Sequence, residues 1–206
     1  EALGVSMRTV AIEPAHAAAE SMLAPAFEAL GLAREPGLTD ENVQSRLRGM
    51  VVMAFANKLG ALALTTGNKS ELAVGYCTLY GDKNGGLAVL SDVTKALVYR
   101  LARWVNANHK AAGFARAPIP EGSITKAPSA ELRPNQTDQD SLPPYDTIDE
   151  IVERFIERHQ APVDIARESG IDGATVARIV RLIQGREFKR KQAAVGLKVT
   201  SVAFGS

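Results

Sequence analysis

Apolar positions recur on a helical period along most of this chain and gather into short continuous runs at only a few places. The first run, Met7-Arg8-Thr9-Val10-Ala11-Ile12, predicts a short strand closed by Pro14. From Ala15 to about Leu30 the period becomes helical, with Met22, Leu23, Phe27 and Leu30 on one face, and Pro25 predicts a kink or a boundary there. Pro36-Gly37 reads as a connection and Thr39 as the N-cap of the next helix. That helix sets Val43, Leu47, Met50, Val51, Ala54 and Phe55 on one amphipathic stripe. Asn42 and Arg46, four apart, share a face near its start and are placed to touch one ligand together. The run Ala61–Thr65 predicts a second strand and Leu87–Leu90 a third. Strand, helix and strand at these lengths imply parallel βαβ units with right-handed crossovers, hence an α/β fold.

Asp92 to about Asn108 reads as a helix with Val93, Leu97, Leu101 and Trp104 on its apolar side. Residues 113–146 carry six prolines among many polar residues, a loop long enough to be functional or disordered. Thr147 is the expected cap of a helix to about His159. Two short helices follow, near 162–169 and 173–184, and then the basic run Arg186-Glu187-Phe188-Lys189-Arg190-Lys191. No internal repeat is seen.

Composition narrows the reading. At 206 residues and 46% hydrophobic content the chain fills one core, so a single domain is expected. A net charge of +1 argues against a broad nucleic-acid footprint, though not against a local patch. With one cysteine, Cys77, no internal disulfide forms, which fits a reducing cytoplasm. No run of about 18 apolar residues predicts a membrane span. Glu1-Ala2-Leu3-Gly4 is neither a signal peptide nor an initiator sequence, and the expectation is a piece of a longer polypeptide.

Candidate chemistry concentrates in Thr65–Asp82, where an apolar run feeds a polar turn, Thr66-Gly67-Asn68, that opens a short helix carrying Glu71. In open α/β sheets such a strand end and helix start form the ligand crevice. Taken alone, Glu71 is equally a solvated glutamate near the positive end of a helix dipole. Asp82 alone is ordinary Gly-Asp turn chemistry. Cys77 lacks a nearby base and reads as a core residue. No His and Cys cluster has zinc-ligand spacing. The rival feature is Ala161–Lys191, two short helices joined by Ser-Gly-Ile-Asp and followed by a basic run, the outline of a helix-turn-helix DNA-binding regulator or of a plain packing unit.

Three separated strings resemble the synthetase domain of glutamine-dependent NAD synthetases. They are Glu41-Asn42-Val43-Gln44-Ser45-Arg46-Leu47-Arg48, then Thr66–Asp82 continuing to Trp104, and Ser129-Ala130-Glu131-Leu132-Arg133-Pro134 through Asp146. The tail Glu187–Gln192 and the helix pair before it fit as well. The resemblance covers essentially all of 1–206 as a partial synthetase domain. It implies a parallel sheet flanked by helices, of the adenine-nucleotide α-hydrolase-like (N-type ATP pyrophosphatase) type, with a helical C-terminal extension over 161–206. The implied reaction is the ATP- and Mg²⁺-dependent amidation of deamido-NAD to NAD through an acyl-adenylate. Ammonia would come from glutamine by way of the family's own N-terminal glutaminase domain.

Carried over by motif position, Thr66, Lys95 and Ser129 resemble ATP contacts. Asn42, Arg46, Glu71, Asp82 and Lys189 resemble deamido-NAD contacts, and Glu71 also a Mg²⁺ ligand. The Pro-rich stretch 117–145 is the candidate lid. Its acids Asp138 and Asp140 either help hold magnesium pyrophosphate or are solvated loop residues. The family's Ser-Gly-Gly-x-Asp-Ser pyrophosphate loop does not occur in the sequence. It is expected to precede Glu1, the glutaminase domain is likewise expected outside this stretch, and an arginine-rich extension is expected after Gly205. The stretch alone is therefore expected to turn over little or no substrate. Leu79, where ammonia-dependent relatives carry lysine, favours the glutamine-dependent branch. Relatives assemble through extensive interfaces, so a homo-oligomer is expected, with no nucleic acid and no membrane. The remaining alternatives are another amidotransferase of the same fold, such as a GMP synthetase, and a ligand sensor without catalysis.

Overall fold

Three two-residue strands hold the centre of the computed structural model, which describes residues 3–32 and 37–204. In chain order the elements are α1 (Glu13–Ala29), α2 (Leu38–Leu59), β1 (Leu64–Thr65), α3 (Lys69–Val74), β2 (Leu87–Ala88) and α4 (Lys95–Ala107). Then come α5 (Glu121–Thr125), a 3-10 turn (Asp138–Asp140), α6 (Tyr145–Val152) running into a π-helical turn (Glu153–Glu157), α7 (Pro162–Ser169), α8 (Gly173–Gly185), α9 (Glu187–Arg190) and β3 (Val195–Gly196). The strands pair in parallel in the order β1-β2-β3, Leu64 opposite Leu87 and Leu87 opposite Val195. The expected parallel α/β sheet is present, with shorter ladders than the apolar runs at 61–65 and 87–90 promised. The readings at Glu1-Ala2, Pro36 and Gly205-Ser206 fall outside the described residues.

The core lies on one side, where Ile148, Ile151 and Val152 of α6 meet Val176, Ile179, Val180 and Ile183 of α8, Ile165 of α7 and Ala73 and Val74 of α3. Local chemistry fixes these helices. Asn68 and Glu71 form a reciprocal capping box on α3, which ends at Gly75 in the left-handed conformation that glycine adopts without strain. The Asp172 carboxylate accepts from the Ala174 and Thr175 amides at 2.9 Å to start α8. The helix pair at 162–169 and 173–184 is thus found where the periodicity put it, with its apolar faces spent in the core. A packing unit explains it fully.

Several expectations are corrected. Met7–Ile12 is not a strand: it lies mostly exposed, Met7 at 82%, and among the described residues no strand pairs with it. The helix at 13–29 runs through Pro25 without ending. The cap of α2 is not Thr39 but Gly37, whose amide donates to the Asp40 carboxylate at 2.8 Å. The buried positions of α2 are Ser45 and Gly49, not its apolar stripe, because the helix approaches the 78–84 turn so closely that only small residues fit. On α4, Leu101 and Trp104 are exposed although they sit on the expected apolar side. Thr147 lies within α6, which starts at Tyr145 after Pro144. The 113–146 stretch holds α5 and the 3-10 turn, and Arg48 and Arg133 of α2 and the loop tie it to Ala130, Glu131 and Glu41.

Candidate active site

The ends of β1 and β2, the start of α3 and the first residue of α4 converge on a cavity of about 510 Å³. Its walls include Thr66, Asn68, Glu71, Asp82, Lys83, Lys95, Ser129 and Asp138, with Ser45 and Gly49 of α2 closing one side. Five of the eight expected site residues therefore share one space: Thr66, Glu71, Asp82, Lys95 and Ser129.

Glu71 and Lys95 form its electrostatic centre. The Lys95 ammonium donates to Glu71 Oε1 at 2.8 Å, while Glu71 Oε2 accepts the Asn68 amide at 3.1 Å. Burial pulls the Lys95 pKa down, but the Glu71 charge and hydrogen bond outweigh it and the net shift is upward. The lysine keeps its charge. Placement of the pair is anchored from behind: the Ser70 hydroxyl donates to buried Asp149 and accepts the Lys95 amide, and Asp149 also accepts the Ala96 amide at 2.9 Å. Burial raises the pKa of Asp149 against those hydrogen bonds.

Asp82 lines the same cavity. Its carboxylate accepts the Thr78 amide at 2.9 Å and the Ser45 hydroxyl at 3.3 Å, and burial nonetheless raises its pKa. Ser129 accepts the Glu131 amide at 3.0 Å, and Thr66 is exposed to the cleft.

Asn42, Arg46 and Lys189 are not in the wall. They grip the segment that forms it. Asn42 accepts the Thr78 hydroxyl at 2.9 Å, Arg46 donates to the Leu79 carbonyl at 3.2 Å, and Lys189 donates to the Gly75 and Cys77 carbonyls at 2.8 and 2.5 Å. Two neighbours on α2 and one residue of α9 thus brace 75–79, next to Tyr80, which is held at φ 62°. Cys77 lies between them, its thiol pushed up to about 11 by burial, which makes it an inert wall residue.

Sequence reasoning missed Ser45, Lys83 and the buried Lys69. Lys69 is fully enclosed and pairs with Asp92 and Glu157 at 2.9 Å, while donating to Thr200 Oγ1 and the Val202 carbonyl. No local spacing announces such a cluster, since its partners lie up to 133 positions away.

A parallel sheet with a polar cleft at its strand ends, walled by a capped helix start and an acid–lysine pair, defines an α/β protein of the nucleotide-handling class. Within that class, the NAD synthase family model matches residues 1–193, and the chain belongs to that family. A glutamine-dependent NAD(+) synthetase of Synechocystis is 51% identical over 99% of this chain and 34% of that protein. Two solved structures align with it. One is a glutamine-dependent NAD+ synthetase from Acinetobacter baumannii in complex with ADP, at 39% identity and TM-score 0.50 over 94% of this chain and 32% of that one. The other is an NMN synthetase from Francisella tularensis, at 25% identity and TM-score 0.68 over 96% and 67%. The chain spans about a third of the length of the curated relatives it matches.

Proposed function

We propose that this chain carries the synthetase chemistry of a glutamine-dependent NAD synthetase, the amidation of deamido-NAD by ammonia at the expense of ATP. The observation that carries the proposal is the convergence of Thr66, Glu71, Lys95, Asp82 and Ser129 on one cavity in a chain of this family. The nicotinate carboxylate is a poor electrophile; its attack on the α-phosphorus of ATP, with pyrophosphate leaving, makes it a mixed anhydride from which ammonia then displaces AMP. The task is alignment and charge screening, which preorganised groups perform without reorganising at the moment of reaction. In this reading Lys95 turns to the phosphates, Thr66 and Ser129 hold the nucleotide, and Asp82 with the braced 75–79 segment faces deamido-NAD. The 117–145 segment closes over the adenylate and keeps water out. Asn42, Arg46 and Lys189 serve by fixing the wall as much as by touching substrate.

Among the described residues no group of three His, Cys, Asp or Glu is arranged to hold a metal. Mg²⁺ takes one or two carboxylates and completes its shell with water and phosphate oxygens. The residues present fit it. Glu71 is at the cavity and Asp138 keeps one buried carboxylate oxygen without a partner. Bound there, the ion would neutralise phosphate charge.

Ammonia derived from glutamine, a glutaminase domain in the same polypeptide and a homo-oligomeric assembly belong to the same proposal. The test supplies the gene product that carries this chain with ATP, Mg²⁺, deamido-NAD and ammonium, and follows NAD and AMP. Equal amounts of both are expected. Glu71→Gln, which keeps the cap on α3, should lower the rate by about a hundredfold or more. Neither product from folded protein, or an unchanged rate and Mg²⁺ dependence in the variant, would overturn the assignment. The NMN synthetase likeness makes nicotinate mononucleotide the control substrate, and its preferred use would replace deamido-NAD in the proposal.

A further inference from the structure

Asp138 is 2% exposed, yet among the described residues its Oδ1 is the one buried side-chain polar atom with no hydrogen-bond partner. Its other oxygen accepts the Tyr145 hydroxyl at 2.6 Å. The backbone is fixed too. The Asp138 amide donates to the Pro128 carbonyl at 2.9 Å, and its carbonyl accepts from Leu142. This carboxylate is therefore held in place with one oxygen left open, and it belongs to the wall of the cavity that contains Glu71 and Lys95.

An unpaired buried carboxylate oxygen is costly, and native structures keep one only where something else satisfies it. The charges around it say what is missing. None of the wall's cations answers it: Lys95 is engaged with Glu71 at 2.8 Å, Lys83 donates to the Lys189 carbonyl, and Arg48 donates to the Ala130 and Glu131 carbonyls. Tyr145 has spent its proton donor on the other oxygen, and the Tyr76 hydroxyl beside this carboxylate, whose pKa burial and the Asp138 charge raise, brings no positive charge. Glu71 thus has its cation, while among the described residues no cation pairs with Asp138. Asp140, the neighbouring acid, is different. It is satisfied by Thr137 and by Arg133 at 3.2 Å, and it is not in the wall.

We propose that Asp138 is the second anionic contact for the divalent cation of the nucleotide, its open Oδ1 facing the ion or one of its waters across from Glu71. The inference rests on the function proposed above and divides the two acids of the loop: Asp138 serves the site, and Asp140 serves the loop's own turn. It gives the 117–145 segment a physical reason to close, because the loop delivers a fixed negative charge that only a loaded cation compensates.

The experiment measures Mn²⁺ binding by water-proton relaxation in the presence of ATP, without deamido-NAD so that no turnover occurs, on the gene product and its variants. Asp138→Asn should weaken protein-bound Mn²⁺ by about ten- to a hundredfold. The metal-free variant should unfold at the same temperature as the parent or higher, because an uncompensated buried charge has been removed. A merely structural aspartate would lower that temperature instead. Asp138→Ser, which also removes the charge, should repeat the loss of Mn²⁺, and Asp140→Asn should leave Mn²⁺ binding unchanged. Parental Mn²⁺ affinity in Asp138→Asn, with Glu71→Gln impaired, would overturn this inference and leave the site assignment standing. No ATP-dependent Mn²⁺ binding by the parent would overturn both.

Discussion

The helices α1 and α2 differ from α6 to α8 in how sharply their apolar residues gather on one face, and the two groups hold the protein together in opposite ways. Around α6 and α8 the stripes meet each other, so that Ile148, Ile151, Ile165 and Val176 are fully buried. In α1 no residue is buried, and in α2 the buried positions are a serine and a glycine. Met22, Met50, Phe55 and Leu59 remain exposed, and a groove of about 780 Å³ runs between the two helices. Over the observed helices the sharpness of the apolar face separates the two regions: the one-sided faces of α6 to α8 are covered, and α2, whose apolar residues are spread around the helix, buries none of them. In α2 the part that touches the rest of the protein is the part that builds the site wall, through Ser45 against Asp82 and Gly49 against the 80–84 turn.

The largest expected difference between the two regions comes from Lys69. Its ammonium ties Asp92 and Glu157 to the tail at 200–202, and the Asp92 carboxylate in turn accepts the Val199 and Thr200 amides at 2.7 Å. Lys69→Met leaves two acids without their cation, so a loss of about 3–5 kcal/mol is expected in urea unfolding. A loss below about 1 kcal/mol would show that the tail clamp is not part of the folding unit. The pH dependence has a definite sign. Burial pushes the Asp92 pKa up, but hydrogen bonds from Thr200, Lys69 and Val199 prevail and hold it below its ordinary 3.8. A depressed carboxyl contributes stability above its ordinary pKa and loses it as pH falls through the folded one. Acid unfolding below pH 3.8 should therefore release the tail, and Asp92→Asn should flatten that limb.

Gly49→Ala probes the other region at intermediate size. A Cβ there would meet Asn84 Nδ2 at 2.3 Å and the Gly81 carbonyl at 2.8 Å. The side chain can swing aside, but the backbone carbonyl cannot, so a cost of about 1–3 kcal/mol is expected. The damage should concentrate in α2 and the 78–84 turn, seen as faster amide exchange there with α6 to α8 unchanged. Uniform exchange across both regions would erase the distinction between them.

Legibility in the sequence follows the same division. The helix pair in the C-terminal third was readable because its caps, Pro162, Gly170 and Asp172, are local and its period is clean. The turn and helix at 66–74 were readable because Asn68 and Glu71 cap each other within four residues. Met7–Ile12 misled because a strand is a pairing and not a run of residues, and nothing local reports the missing partner. Ser45, Lys69 and Asp149 stayed hidden because their partners lie 23 to 133 positions away, from Asp92 to Val202 for Lys69, and each reads locally as an ordinary helix residue. The motif strings named most of the cavity wall. Only the folded arrangement shows that Asn42, Arg46 and Lys189 act from behind it.

The smallest effect is the sharpest test of the comparison. Met50 sits on the expected apolar stripe of α2 and is 55% exposed, whereas Ile148, at a like position on α6, is fully buried. Ile148→Ala should cost about 2–5 kcal/mol, the transfer of the lost carbons plus the cavity left behind. Met50→Ala removes a side chain that mostly faces solvent, and a change within about 0.5 kcal/mol is expected. The two variants are best compared at two protein concentrations in one denaturant series. A Met50→Ala cost of 2 kcal/mol or more, growing with protein concentration, would mean that this face is covered in solution by a second copy of the chain. The exposed stripe would then be a packed surface like that of α6, with its partner on another molecule.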